Sequence, residues 1–522
     1  MRSDPFLIRG SLLISSVLLT WLALPGNFSF WPLLVICLVP LFGLLHDLSS
    51  IAKALFSGFV AGIFFYLLQL YWIVPVLQTY GGLGWYLAVP ALLLLVCYMS
   101  FYPAIFAVGF HLMDSRGPRL MLPFAAASLW VGLDWVRSWM ISGFPWMDIG
   151  YGLWTQPRLL QIADLVGHHG LTFFIVMINA TLFMVVQRSY RNLERAVGVI
   201  LLACICMPSV WYSVDRWEKV EKLVDAAPVA LVGVAQGNVE QTRKWSPEER
   251  LRTVKDYVRL STAATAGQDP SLIVWPETAL PFYPRADELL EPVSEFVDFS
   301  GTVLLTGAPW FEAEHSRTHH LMRYYNGALL MEPGAGFSFG YFKSHLVPFG
   351  EYVPLKKYLP FLAPLVEAAG DFTPGTIDAP LLAGPIKAGI LICFESIFPD
   401  LGRAWVEAGA NLLVNLTNDA WYGKSSAPYQ SWAMTVFRSV ETRRSLVRSA
   451  NTGISGFIDP LGQVQRQSGL FVEWAESMEI SLLSTETFFV RTGYRFAPIC
   501  GAAAVVIIIF SLLRRNGGSD RW

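Results

Sequence analysis

The sequence predicts a membrane α-helical bundle of eight transmembrane helices joined to an exported mixed α/β domain, and three observations carry that expectation. Over 522 residues, 54% are hydrophobic, only 15% are charged and mean hydropathy is +0.45, which is too apolar for a soluble protein of this length. Apolar stretches close to the roughly 20 residues that cross a bilayer recur before residue 214 and once more near the C terminus. Between them, residues 214–495 switch to short strand-like runs and amphipathic helical patterns. The formal net charge of -2, with no long basic run, excludes nucleic acid as a partner.

In order, the apolar stretches fall at 7–24, 31–46, 52–78, 86–113, 118–138, 170–187, 195–213 and, after the polar half, 496–513. The second is short and interrupted by Pro40. Basic residues alternate as the positive-inside rule requires: Arg2 and Arg9, Lys53, Arg116 and Arg119, Arg188, Arg191 and Arg195, then Arg514, Arg515 and Arg521 mark one side. The connections 26–30 and 78–84 carry no basic residue, and Arg137 and Arg158 are the mild exceptions. Seven spans therefore export the polar half. The first stretch also admits a reading as a signal peptide ending near Ala23-Leu24-Pro25, which would leave the downstream orientation unchanged.

The exported half, 214–495, is long enough for one domain with its own core. Strands are expected at 229–234, 272–275, 303–305, 328–331, 386–393, 412–416 and 454–458, and helices at 247–264, 398–408 and 429–448, the last with arginines on its outer face.

Three motifs carry chemistry. Trp275-Pro276-Glu277-Thr278 places a carboxylate where an apolar strand ends, a common site position in α/β folds. Tyr341-Phe342-Lys343-Ser344 sets a lysine among aromatics, where an ammonium in a dry pocket acts strongly on a nearby anion. Ile392-Cys393-Phe394-Glu395 puts a thiol at a strand-to-helix turn, where a helix N-terminus would hold it partly as thiolate. Cys393 is the one cysteine outside the membrane-buried runs, so it has no disulfide partner in the exported half. Taken singly, each motif has a plainer reading: a solvated glutamate, a snorkelling lysine, an inert core thiol. His345 is set aside as a base for Cys393, since sequence distance cannot establish such a pair.

Taken together and in this chain order, the three motifs resemble the nitrilase superfamily. That resemblance implies an αββα sandwich, with Glu277 as general base and then acid, Lys343 as the oxyanion stabiliser and Cys393 as the acyl-forming nucleophile. With the spans on either side, the whole chain is similar to the apolipoprotein N-acyltransferase family. The supporting motifs are Gly143-Phe144-Pro145-Trp146, Gln236-Gly237-Asn238 with Trp245, Val347-Pro348-Phe349-Gly350-Glu351-Tyr352, Asn418-Asp419-Ala420-Trp421-Tyr422-Gly423 and Arg448-Ser449-Ala450-Asn451-Thr452-Gly453. The likeness implies that Glu351 and Glu395 are secondary acidic groups, that Trp245, Trp421 and Tyr422 are pocket or loop residues, and that Asn326 is a polar site residue. Phe394 departs from the tyrosine common after the family's nucleophile, which removes a hydroxyl and leaves packing.

The implied reaction moves an acyl chain from a phospholipid to the α-amine of a diacylglyceryl-modified apolipoprotein, in ping-pong fashion through a thioester on Cys393. The expected setting is the bacterial inner membrane, with the catalytic domain on the periplasmic side and a monomeric chain. The aromatic, charge-poor connection 138–169 would guide acyl chains, or is simply an aromatic belt. No cofactor is implied. No metal is expected either, since His168-His169 and His319-His320 read as loop residues. Two rivals stay open at this point: a membrane-tethered amidase using the same triad with water, and a scaffold in which the triad is incidental.

Overall fold

The computed structural model describes residues 5–241, 244–315, 320–352 and 371–513. The chain divides into two units: Met1–Pro75, Leu83–Arg216 and Tyr494–Trp522 form one, and Val76–Gly82 with Trp217–Gly493 form the other.

The first unit is helical. Among the described residues, six helices are long and apolar enough to cross a membrane: Phe6–Ala23, Ile51–Leu70, Trp85–Arg116, Ala163–Val186, Asn192–Asp225 and Phe496–Leu513. Three expected spans come out differently. The second is a 3-10 turn, Trp31–Val35, followed by a short helix, Val39–His46, with a proline in its first turn. The third stops at Leu70, because Pro75 offers no N–H to the Tyr71 carbonyl; that oxygen accepts from Val74 N instead, at 3.2 Å, and a separate short helix, Ile73–Thr79, follows. The fifth, Leu122–Trp139, is an 18-residue helix that carries buried Asp134 and Arg137 and is not among the six. His168 and His169, expected in a loop, are instead buried in the Ala163–Val186 helix just after Gly167, whose φ of 67° breaks the helical path.

The second unit holds two six-stranded sheets. One runs in the order β12-β1-β2-β3-β4-β5, with β1 Val229–Gln236, β2 Leu272–Val274, β3 Val303–His315, β4 His320–Glu332, β5 Gly336–Phe342 and β12 Trp474–Ser481. The other runs β11-β10-β9-β8-β7-β6, with β6 Leu381–Ala383, β7 Ile386–Ile392, β8 Leu412–Thr417, β9 Ser445–Ala450, β10 Gly456–Ile458 and β11 Val464–Gln467. The centre of each sheet is parallel: β1 with β2 and β2 with β3, and β7 with β8 and β8 with β9. Parallel strands buried on both faces read as continuous apolar runs, as Leu412-Leu413-Val414 and Ile390-Leu391-Ile392 do. The sheets bond face to face, Ser449 Oγ donating to Ala235 O at 3.2 Å and Ser445 Oγ to Ser481 O at 2.7 Å. Helices Pro247–Thr265 and Glu291–Ser300 cover the first sheet through Val254, Tyr257, Val293 and Val297 against Ile273, Leu304 and Leu329. Pro399–Glu407 and Ala427–Thr442 cover the second, Trp405 lying so close to Gly389 that a β-carbon there would meet it at 2.6 Å.

The expected helix 429–448 is corrected here. It ends at Thr442, Arg443 turns left-handed at φ 53°, and β9 takes up Arg448. Its arginines do not face outward: Arg438, Arg443, Arg444 and Arg448 are at most 2% exposed. Buried guanidinium groups need partners, and backbone oxygens supply them: Arg438 donates to Ile397 O at 3.0 Å, Arg443 to Pro460 O at 2.9 Å and Arg444 to Ala410 O at 2.7 Å.

Candidate active site

Glu277, Lys343 and Cys393 each follow the end of a strand, β2, β5 and β7 respectively, and the fold gathers them. Glu277 sits in a turn held against β3: at Gly307 a β-carbon would lie 2.5–2.6 Å from the backbone of Pro276, Glu277 and Thr278, so only glycine permits this approach. Cys393 has φ 54°, a left-handed conformation that a non-glycine residue adopts only where its surroundings enforce it. A single 3-10 turn, Cys393–Ile397, follows.

The carboxylates form a frame around the lysine. Asn326 Nδ2 donates to Glu277 Oε1 at 2.8 Å and to Glu351 Oε1 at 3.0 Å, bridging the two acids. Glu277 Oε2 accepts from Asn418 N at 3.0 Å. Lys343 Nζ lies 3.0 Å from Glu351 Oε1 and 2.9 Å from Oε2, and Val347 N donates to Oε2 at 2.8 Å. The Cys393 thiol lies near enough to the Glu277 carboxylate and the Thr417 hydroxyl for both to influence its proton.

Glu395 has a different surrounding. Its Oε1 receives Ser344 N at 2.8 Å, His345 N at 3.0 Å and Ser344 Oγ at 3.0 Å, with Tyr341 Oη at 2.7 Å, while Ile392 N donates to Oε2 at 2.7 Å. One buried carboxylate thereby ties the turn bearing Cys393 to the segment bearing Lys343.

Burial pushes the Glu277 carboxyl up; the Lys343 ammonium works against that shift and Glu351 adds to it. Burial and the neighbouring Glu277 carboxylate push the Cys393 thiol up as well, Lys343 opposing them. The expected standing thiolate is therefore corrected: the turn after Cys393 is too short to supply a useful dipole, and the resting group is a thiol. Desolvation works to lower Lys343, but Glu351, with Glu277 adding to it, outweighs that and holds the ammonium charged.

Among the supporting residues, Trp245 and Trp421 are 44% and 38% exposed, and Trp421 packs edge-on against Tyr80 at 4.7 Å. Burial drives the Tyr422 phenol well above its ordinary range, with Cys393 and Asp419 adding to the shift. Phe394 packs on Phe398 at 5.0 Å and His345 lies over the same Phe398 ring at 4.0 Å. Three neighbours gave no individual signal. Thr417 donates to Asp419 Oδ1 at 2.9 Å, and Asp419 Oδ2 accepts from Arg448 at 2.8 Å. Lys244 is fully buried, its Nζ 3.5 Å from Glu277 O, and burial brings it down to about 8 despite the pull of Glu277.

A two-sheet sandwich with a glutamate, a lysine and a cysteine at its strand ends defines a carbon–nitrogen hydrolase domain, and the family model of that description, Carbon-nitrogen hydrolase, matches residues 229–484. Residues 16–181 match the model described as Apolipoprotein N-acyltransferase N-terminal domain. Relatives named apolipoprotein N-acyltransferase are 41% identical over 89% of this chain and 88% of theirs in Geobacter metallireducens, and 33% identical over 91% and 90% in Methylococcus capsulatus. In Pseudomonas aeruginosa the figures are 30% identity over 95% and 94%. Among solved structures, an amidase from Nesterenkonia sp. is 17% identical with TM-score 0.35, covering 49% of this chain and 91% of its own, a likeness too low to add to the topology above. The chain belongs to the apolipoprotein N-acyltransferase family.

Proposed function

We propose that this protein transfers an acyl chain from a phospholipid to the α-amine of the N-terminal diacylglyceryl-cysteine of an apolipoprotein, with Glu277, Lys343 and Cys393 as its triad. The observation that carries the reading is the placement of a protonated thiol against a carboxylate, inside a frame that keeps one lysine charged.

In the first half-reaction Glu277 takes the Sγ proton as Sγ attacks the ester carbonyl, and the oxyanion that forms is stabilised by the Lys343 ammonium. Collapse breaks the ester C–O bond, and the leaving lysophospholipid oxygen takes the proton from Glu277. In the second, the neutral acceptor amine attacks the thioester, Glu277 receives its proton, and collapse breaks the C–S bond to give the amide. That proton returns to the Cys393 sulfur. A glutamate raised by burial suits this alternation, because burial brings its proton affinity closer to those of the groups it exchanges a proton with. Glu351 and Asn326 position Lys343 and Glu277, Glu395 holds the two segments together, and Trp245, Trp421 and Tyr422 line the approach of the lipid.

The chain acts as a monomer in the bacterial inner membrane, with eight spans and with the catalytic domain, 214–495, on the periplasmic side, in line with the distribution of Lys and Arg. Incubating the detergent-solubilised protein with phospholipid and a diacylglyceryl peptide tests the reading. Equimolar appearance of lysophospholipid and N-acylated peptide is expected; hydrolysis of a small amide with the phospholipid left intact would make it a tethered amidase.

A further inference from the structure

A second group of buried polar side chains lies wholly within the helical unit. Asp148 is fully buried between helices Leu122–Trp139 and Ala163–Val186 in sequence. Its Oδ2 lies 2.8 Å from His168 Nε2 and 3.3 Å from His169 Nε2, and Tyr494 Oη lies 3.4 Å from each of the same two nitrogens. Adjacent histidines on a regular helix point about 100° apart and do not converge. Here the two rings come to 4.1 Å, in the first turn after Gly167, whose φ of 67° breaks the helical path.

We propose that Asp148, His168, His169 and Tyr494 bind a zinc ion. Bonds of about 2.0–2.2 Å in a tetrahedron separate ligand atoms by about 3.4 Å. The separations of 3.3, 3.4 and 3.4 Å match that spacing, and the 2.8 Å pair opens by about half an ångström on binding. Both imidazoles present the same nitrogen, Nε2, to the common point, as ligands do. The other Asp148 oxygen, Oδ1, is held by Arg137, which also bonds Asp134 at 3.0 Å, Trp146 O at 3.1 Å and Tyr66 Oη at 3.2 Å. A carboxylate ligand fixed through its second oxygen is the usual outer arrangement of a metal site.

Four protein ligands leave no open position, so the ion is structural. It fastens the connection that carries Asp148 to the heads of two helices, Ala163–Val186 and Phe496–Leu513.

The test uses untagged full-length protein, extracted in detergent without chelator. Elemental mass spectrometry should find about one zinc per chain, falling at least tenfold in His169→Ala and in Asp148→Asn. Because either variant could lose its fold, chelator-stripped wild type is also titrated with zinc chloride. A single site per chain and a rise in thermal midpoint, both weakened at least tenfold in affinity by Tyr494→Phe, support the site. No zinc in the extracted protein together with no response to added zinc overturns it. Zinc retained undiminished in both folded variants overturns it equally.

Discussion

Glu277 and Glu395 are both buried carboxylates of the same domain, and burial pushes both upward, yet they do opposite things. Glu277 accepts from one amide nitrogen on each oxygen and keeps a face toward the Cys393 thiol. Glu395 has four donor groups around Oε1 and a backbone N–H on Oε2, and no thiol. A carboxylate filled with donors organises its surroundings, whereas one with an acceptor position left toward a thiol can take a proton. Satisfaction, more than burial, separates the proposed reacting acid from the structural one.

The largest effect belongs to the thiol. Cys393→Ala should lower acyl transfer by about 10⁴-fold or more with the thermal unfolding of the protein unchanged, since the attacking sulfur is lost. Glu277→Gln should cost roughly 10²–10⁴-fold, the range of a lost general base. The wild-type rate should also fall on the acid side, because the carboxylate must be ionised to receive the thiol proton. With Glu277 raised, that fall begins at a higher pH than an ordinary glutamate would give, and the Gln variant should lack the limb. Lys343→Met should cost about 10²–10³-fold in kcat, as removal of an oxyanion-stabilising charge does.

Glu395→Gln sharpens the contrast most. An amide nitrogen at either terminus would face backbone N–H donors, so the variant should lose about 1–3 kcal/mol of stability, read as a lower thermal midpoint, and only roughly tenfold in rate. A loss in rate as deep as that of Glu277→Gln, with stability intact, would move Glu395 into the reacting group. The smallest effect is expected at the exposed aromatics: Trp421→Ala and Trp245→Ala should raise the KM for phospholipid several-fold with kcat nearly unchanged.

The proposed triad residues stood out in the sequence because Glu277 and Cys393 follow apolar runs of the kind a parallel strand needs and Lys343 follows an aromatic one, and the three runs could be recognised separately. The reading failed where local pattern and tertiary demand diverge. Arg448 looked like the outer face of a helix, but it lies in β9, its charge answered by Asp419 from another strand's end. The thiolate expected from a helix N-terminus gave way to a raised thiol, since a short turn cannot offset a buried carboxylate beside it. Asp134 and Arg137 sit in a helix that composition placed in the bilayer, where their pairing with each other and of Arg137 with Asp148 makes burial tolerable. Lys244 stood beside Trp245 without a distinguishing pattern, and its approach to Glu277 depends on a fold contact across 33 residues. His168 and His169 came together with Tyr494 over more than 300 residues, beyond any spacing rule.

The central claim is that acyl transfer passes through the sulfur of Cys393. Intact-protein and peptide mass spectrometry after incubation with phospholipid alone, without acceptor, tests it most directly. A hydroxylamine-labile acyl adduct on the peptide containing Cys393, absent from Cys393→Ala and discharged on adding the acceptor peptide, is the predicted result. An enzyme that N-acylates the acceptor while Cys393 remains unmodified, or whose adduct persists in Cys393→Ala, would contradict it.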